Sequence, residues 1–146
     1  MLYPTEALLT GSQFKRLYEK KIRNMATRYA LTPAEINVLL FLANNPDYNT
    51  AKDISEMRML PKSCVSKAVD SLIRQGFLTS SEDEKDRRIL HLFILPSSDG
   101  IVTDARSAQE EFFSHVFRNF SQEERDMLDA LTKKLVNNMK EIIIQC

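Results

Sequence analysis

Residues 50–95 run through two short helical patterns, a glycine stop and a charged hairpin, and that fixed order leaves few ways to fold. The first pattern is Thr50-Ala51-Lys52-Asp53-Ile54-Ser55-Glu56. It opens on a threonine with an acid three residues on, the pairing by which side chains cap backbone amides at a helix start. A turn through Arg58-Met59-Leu60 follows. Pro61 is expected to open a second helix, where its missing N–H costs nothing. Gly76 is expected to end that helix as the left-handed residue just past the last turn.

At 100° per residue, Val65, Val69, Leu72 and Ile73 share one stripe of the second helix and should pack on a core. The opposite face carries Ser63, Lys67, Asp70 and Arg74, with Ser66 and Ser71 at its edges. Small hydroxyls and a cation near a helix start suit a DNA major groove, since they let the backbone come close, bond phosphates and reach base edges. Every surface helix has a polar face, however, and this composition alone does not exceed that reading.

The hairpin that follows carries more information. Phe77-Leu78-Thr79 reads as a short strand, residues 80–87 as a polar loop, and residues 88–95 as a returning strand rich in strand formers. Arg87 and Arg88 stand together at the tip, after Asp86. Arginine is favoured in a narrow minor groove, where the potential is most negative. Asp86 can hold one arginine in a forked pair and so aim it. A solvated loop of mixed charge is the competing reading of the same residues. Two short helices followed by such a hairpin are the layout of a winged helix-turn-helix.

Together these segments resemble the MarR family of bacterial transcription regulators, from Leu31-Thr32-Pro33-Ala34-Glu35 through Gly100. The family places a leucine-threonine-x-x-acid or amide sequence before its second helix, met here by Leu31 to Glu35. Its recognition helix takes the form serine-threonine-valine-threonine-arginine-x-valine-aspartate-x-leucine and ends in glycine. Here that reads Ser63-Cys64-Val65-Ser66-Lys67-Ala68-Val69-Asp70-Ser71-Leu72, ending at Gly76. The family's wing closes on aspartate-arginine-arginine, as Asp86-Arg87-Arg88 does. Cys64, Lys67 and Ser71 depart from the usual threonine, arginine and frequent arginine, which bears on the strength and sequence preference of DNA binding.

The resemblance implies a mainly α fold with a small β-hairpin wing, in a single MarR-like domain over residues 1–146. Within it, residues 32–96 would form the winged helix-turn-helix, and residues 1–31 and 97–146 the N- and C-terminal dimerisation helices. It implies a homodimer that represses from a pseudo-palindromic double-stranded DNA operator and is released by a small ligand. The DNA-contacting residues are expected to be Lys62, Ser63, Ser66, Lys67, Asp86, Arg87 and Arg88, with Lys62 on phosphate. A small aromatic or phenolic effector would sit between the dimer helices and the DNA-reading module, against Phe14, Tyr18, Met25 and Phe112. Those four also fit an ordinary core, since helical stripes are usually buried. The alternative function is a winged-helix protein-interaction module without specific DNA binding.

At 146 residues one domain with a real core is expected. Net charge is zero, which at first sight argues against DNA. Local placement matters more than the total, because phosphates are met by nearby cations. Residues 1–32 carry Lys15, Arg16, Lys20, Lys21, Arg23 and Arg28 against Glu6 and Glu19, whereas residues 97–146 hold an excess of acids. No apolar run is long enough to span a membrane, and the start Met1-Leu2-Tyr3-Pro4-Thr5-Glu6 lacks the regions of a secretory signal, so a cytoplasmic chain is expected. No cofactor or metal is expected either. The two histidines, His91 and His115, are too few for a metal cluster, and Cys64 and Cys146 make no C-x-x-C. Cys64, near a helix start with Lys62 and Lys67, reads either as a redox switch or as a stand-in for a small residue. With three glycines in all, no phosphate loop and no nucleophile–base pattern, an enzyme finds no support.

The rest of the chain reads as helix. Phe14, Tyr18, Ile22, Met25 and Tyr29 recur at helical spacing. Thr32-Pro33-Ala34-Glu35 reads as a capping box ahead of a buried helix. Past Pro96, Ser97-Ser98-Asp99-Gly100 should lead into a helix over residues 101–117. A second capping box at Ser121-Gln122-Glu123-Glu124 should open a last helix on which Leu128, Leu131, Leu135, Met139 and Ile142 form a near-heptad stripe.

Overall fold

A computed structural model describes residues 4–145; Met1 and Cys146, on which the secretory-signal and cysteine-spacing readings partly rest, lie outside them. In chain order the elements are α1 (Pro4–Arg28), α2 (Pro33–Asn44), α3 (Ala51–Arg58), α4 (Lys62–Arg74), β1 (Leu78–Glu82), β2 (Leu90–Ile94), a 3-10 turn (Pro96–Ser98), α5 (Asp99–Val116) and α6 (Gln122–Gln145). The mainly helical fold with one antiparallel hairpin is the one expected.

Local chemistry sets the boundaries. Thr32 and Thr50 both cap with full reciprocity, their hydroxyls accepting from the Glu35 and Asp53 amides while those carboxylates accept from the threonine amides. Gly76 sits at φ 79. Its N–H donates to the Ile73 carbonyl and that of Phe77 to Leu72, at 3.0 and 2.9 Å, which closes the end of α4 in a Schellman turn. The turn between α3 and α4 uses Met59 at φ 54, with the Leu60 amide donating to Ser55 O at 3.1 Å and Ser55 Oγ to Leu60 O at 2.6 Å.

Up to Phe112 the described residues form one compact unit. Its core is built around α2, where Ile36, Val38 and Leu39 are wholly buried and Leu40, Phe41 and Leu42 nearly so. A helix apolar on all sides is one that others must surround. Ile22, Met25 and Ala26 of α1, Ile54 of α3, Val65, Ala68, Val69 and Leu72 of α4, and Ile101, Val102, Ala105 and Ala108 of α5 do so. Leu78 and Leu92 bring the hairpin into the same core. Its strands pair from Leu78 opposite Ile94 to Glu82 opposite Leu90. The Leu92 amide donates to Asn49 O at 2.8 Å, which ties the segment before α3 alongside β2.

Phe113 onward forms a second unit. Phe113 stacks on Phe117 at 5.9 Å, Phe117 meets Phe120 edge-on at 5.6 Å, and Arg125 donates to the Phe117 carbonyl at 3.1 Å. Ser121 caps α6 by accepting from the Glu124 amide at 3.1 Å. No residue of α6 is buried.

Several boundaries differ from those expected, and Phe77 and Leu95 fall just outside β1 and β2. Pro61 is the residue just before α4 rather than its first member. Residues 80–82 belong to β1, because pairing with β2 continues to Glu82; residues 88 and 89 correspondingly leave the returning strand for the loop. Asp99 and Gly100 are the first residues of α5 rather than a lead-in, the turn being made by Pro96–Ser98.

Candidate nucleic-acid interface

On α4, Lys62, Ser63, Ser66, Lys67, Asp70 and Arg74 are all exposed, and Val65, Ala68, Val69 and Leu72 are buried beneath them. Lys67, Asp70, Ile73 and Arg74 border an open depression of about 590 Å³. Cys64 is half-buried and carries a free thiol. Ser71 is half-buried at the edge of this face, with its hydroxyl turned to Glu35.

The Glu35 carboxyl group is buried, and Oε1 accepts from the Thr32 amide and hydroxyl at 3.3 and 3.0 Å. Oε2 accepts from Gln75 Nε2 at 2.9 Å and from Ser71 Oγ at 3.4 Å. One side chain thus ties the first turn of α2 to the last turn of α4. Burying a carboxylate is costly unless its oxygens are bonded, and here both are.

The wing loop is folded by its own carboxylates. Asp83 Oδ2 accepts from the Lys85 and Asp86 amides, each at 3.0 Å, while the Ile89 amide donates to Asp86 O at 3.0 Å. Asp86 Oδ1 accepts from the Arg88 amide at 3.0 Å and from Arg88 Nε at 3.2 Å, and Oδ2 from Nη2 at 3.3 Å. The forked pair therefore selects Arg88, whose side chain is otherwise 91% exposed. Arg87 is exposed beside it. The Arg88 guanidinium, then the Arg88 amide, hold the Asp86 carboxyl below the usual aspartate range. The bond to His91, then the Lys85 and Asp86 amides, do the same for Asp83.

His91 was missed in the sequence as part of this site. Its ring bridges Asn49 and Asp83, and the signal available was one polar residue set in the apolar run Leu90 to Leu95. Between the start of α3, α4 and the wing lies a groove of about 510 Å³, bordered among others by Thr50, Lys52, Ser66, Arg88 and His91.

Of the four residues expected around an effector, three meet. Phe112 packs edge-on against Phe14 at 5.2 Å and Tyr18 at 5.3 Å. Gln109 Nε2 donates to the Tyr18 hydroxyl at 2.8 Å, and the Arg58 guanidinium lies 5.9 Å from the Tyr18 ring centre. Arg58 Nη2 donates to Asn37 Oδ1 at 3.2 Å, whereas its Nε is buried without a partner. Met25 is buried in the core and borders a different groove, with Lys21, Arg28 and Asp104.

A capped helix pair, an exposed polar face on the second helix and an arginine-tipped hairpin define a winged helix-turn-helix protein. The MarR family model matches residues 31–89, which run from just before α2 to the loop between β1 and β2. The curated proteins that the chain matches are transcriptional regulators, and over residues 31–89 it resembles the MarR family. It is 24% identical over 124 residues to the HTH-type transcriptional regulator YsmB of Bacillus subtilis, covering 85% of this chain and 84% of that one. A MarR family regulator from Listeria monocytogenes, solved with a 26mer DNA, shares the fold at TM-score 0.83 and 14% identity, over 92% of this chain and 89% of that one. The MepR–DNA complex of S. aureus shares it at TM-score 0.72 and 18% identity, over 89% and 96%. These relatives favour the regulator over the protein-interaction module. Among the described residues, no helix is long and apolar enough to cross a membrane.

A lowered aspartate contributes stability that is present above its unfolded-state pKa and lost as pH falls through the folded one. On acidification, protection of the Lys85, Asp86 and Arg88 amides from exchange should therefore persist where free aspartate is half-titrated, and fade at lower pH still. Carboxyl carbon signals of Asp83 and Asp86 that titrate in the ordinary range would contradict this.

Proposed function

We propose that the protein is a homodimeric repressor that binds a pseudo-palindromic operator through α4 and the wing and releases it on binding a small aromatic ligand. The observation that carries the DNA reading is the Asp86–Arg88 fork, which aims an exposed guanidinium from a hairpin tip. In this reading Ser63, Ser66 and Lys67 meet base edges, Lys62 a phosphate, and Arg88 or Arg87 the minor groove.

The dimer reading rests on α6. Leu131, Leu135, Met139 and Ile142 are each at least half exposed, and they recur on one face of the helix. Such a continuous apolar stripe is rare on a monomer, and α1 and α6 are the helices through which a second copy would dock. A two-fold dimer would set two α4 helices about 34–36 Å apart, one DNA turn. The effector reading rests on Phe14, Tyr18 and Phe112 beside Arg58, whose unpartnered Nε suits the carboxylate of an aromatic acid.

Three measurements test these parts. In a gel shift with the region upstream of its own gene, Arg88→Ala should cost on the order of 1–3 kcal/mol. Asp86→Ala should also weaken binding, although it removes a negative charge; tighter binding would mean that Asp86 does not orient Arg88. Lys67→Ala should relax sequence preference, whereas a uniform loss on all DNA would mark a phosphate contact. Leu131→Glu with Leu135→Glu should lower both the mass seen in light scattering and operator affinity; an unchanged mass places the interface elsewhere. Aromatic acids should raise the melting temperature of the wild type more than that of Arg58→Met, and equal shifts would remove Arg58 from the site.

A further inference from the structure

His91 lies on β2 between Leu90 and Leu92, and both of its ring nitrogens are engaged. Nδ1 is 2.7 Å from Asn49 Oδ1, and Nε2 is 2.7 Å from Asp83 Oδ1. Both partner atoms are oxygens without hydrogens. A neutral imidazole has one N–H and can fill one of these bonds; the imidazolium has two and fills both. Rotating the Asn49 amide would present its NH2 group and suit the neutral ring instead, so the two states are experimentally distinct.

The ring joins two segments, the approach to α3 and the wing loop. Asn49 belongs to the stretch leading into α3, and its carbonyl is already held by the Leu92 amide. Asp83 starts the wing loop, and its other oxygen folds the loop by accepting from the Lys85 and Asp86 amides. The charged groups around the ring come from three elements: Asp83 and Arg88 from the wing, Lys52 and Asp53 from α3, and Asp70 from α4. Carboxylates outnumber cations there, and Arg88 is already paired with Asp86, so the groove favours a proton on His91.

We infer that His91 is a positioning residue for the wing, whose doubly protonated ring latches the loop to the approach of α3, so that DNA affinity falls as pH rises through the neutral range. Imidazole is the side chain that changes charge there. Protonation favours the latched wing and the latched wing favours DNA, so by linkage DNA binding takes up a proton. The DNA half of this rests on the wing's role proposed above; the latch itself does not.

Two arms on the full chain separate them. Without DNA, the His91 ring is titrated by NMR between about pH 5.5 and pH 8.5, with His115 as the control ring. Exchange of the Lys85 and Asp86 amides is followed in parallel and corrected for its intrinsic pH dependence. Their protection should fall with the His91 titration, and should be low throughout in Asn49→Ala. Protection that stays constant while His91 titrates overturns the latch. With DNA, affinity for one fixed duplex at constant ionic strength should be about three- to tenfold higher near pH 6 than near pH 8, and His91→Gln should flatten that profile. A His91→Gln protein that keeps the wild-type profile overturns the coupling. If the wild type binds no duplex at either pH, the DNA reading fails, and the first arm still decides the latch.

Discussion

The placement of α4 depends on one buried acid. Glu35 belongs to the first turn of α2, the helix around which the core of the first unit is assembled, and it takes up Ser71 and Gln75 from the far end of α4. Apolar contacts hold α4 against α2 but resist sliding and rotation weakly, since they are non-directional. Hydrogen bonds to a charged acceptor are directional and cost about 1–3 kcal/mol or more to leave unmade. The stripe of Val65, Val69 and Leu72 thus supplies adhesion, while Glu35 supplies registration. Whatever Ser63 and Lys67 reach is set from the opposite end of their own helix.

The wing follows a different logic. Its acids would repel a polyanion if they were free, yet Asp83 and Asp86 spend their oxygens on amides of their own loop and on Arg88. The turn is therefore shaped by short-range bonds inside it, and not by burial, which the tip lacks. An exposed loop ordered in this way loses less entropy on meeting a ligand than a free one.

Features made by near neighbours in sequence were legible. Both capping boxes, the Gly76 stop and the Asp86–Arg88 fork lie within a few residues, and their geometry follows from spacing alone. The apolar stripe of α4 followed from helical period. What escaped notice needed a partner far along the chain. The extension of β1 to Glu82 is dictated by pairing with β2, since Ser80-Ser81-Glu82 has no strand preference of its own. The Ser71 hydroxyl turns to a carboxylate 36 residues away. The role of His91 depends on an asparagine 42 residues distant. Met25 shares the helical stripe of Phe14 and Tyr18, but period cannot say how far along a helix a neighbouring ring will land.

The balance of charge on the chain has a consequence for how such a regulator finds its target. Attraction to arbitrary DNA is almost wholly a matter of counterions released by surplus positive charge, and here Asp53, Asp70 and Asp83 stand among the cations of the same groove. On the proposed DNA reading, a protein built this way would linger little on the wrong sequence. Its search would be spent mostly in free diffusion and short visits, with discrimination coming from close fit rather than from a long-range pull toward every duplex.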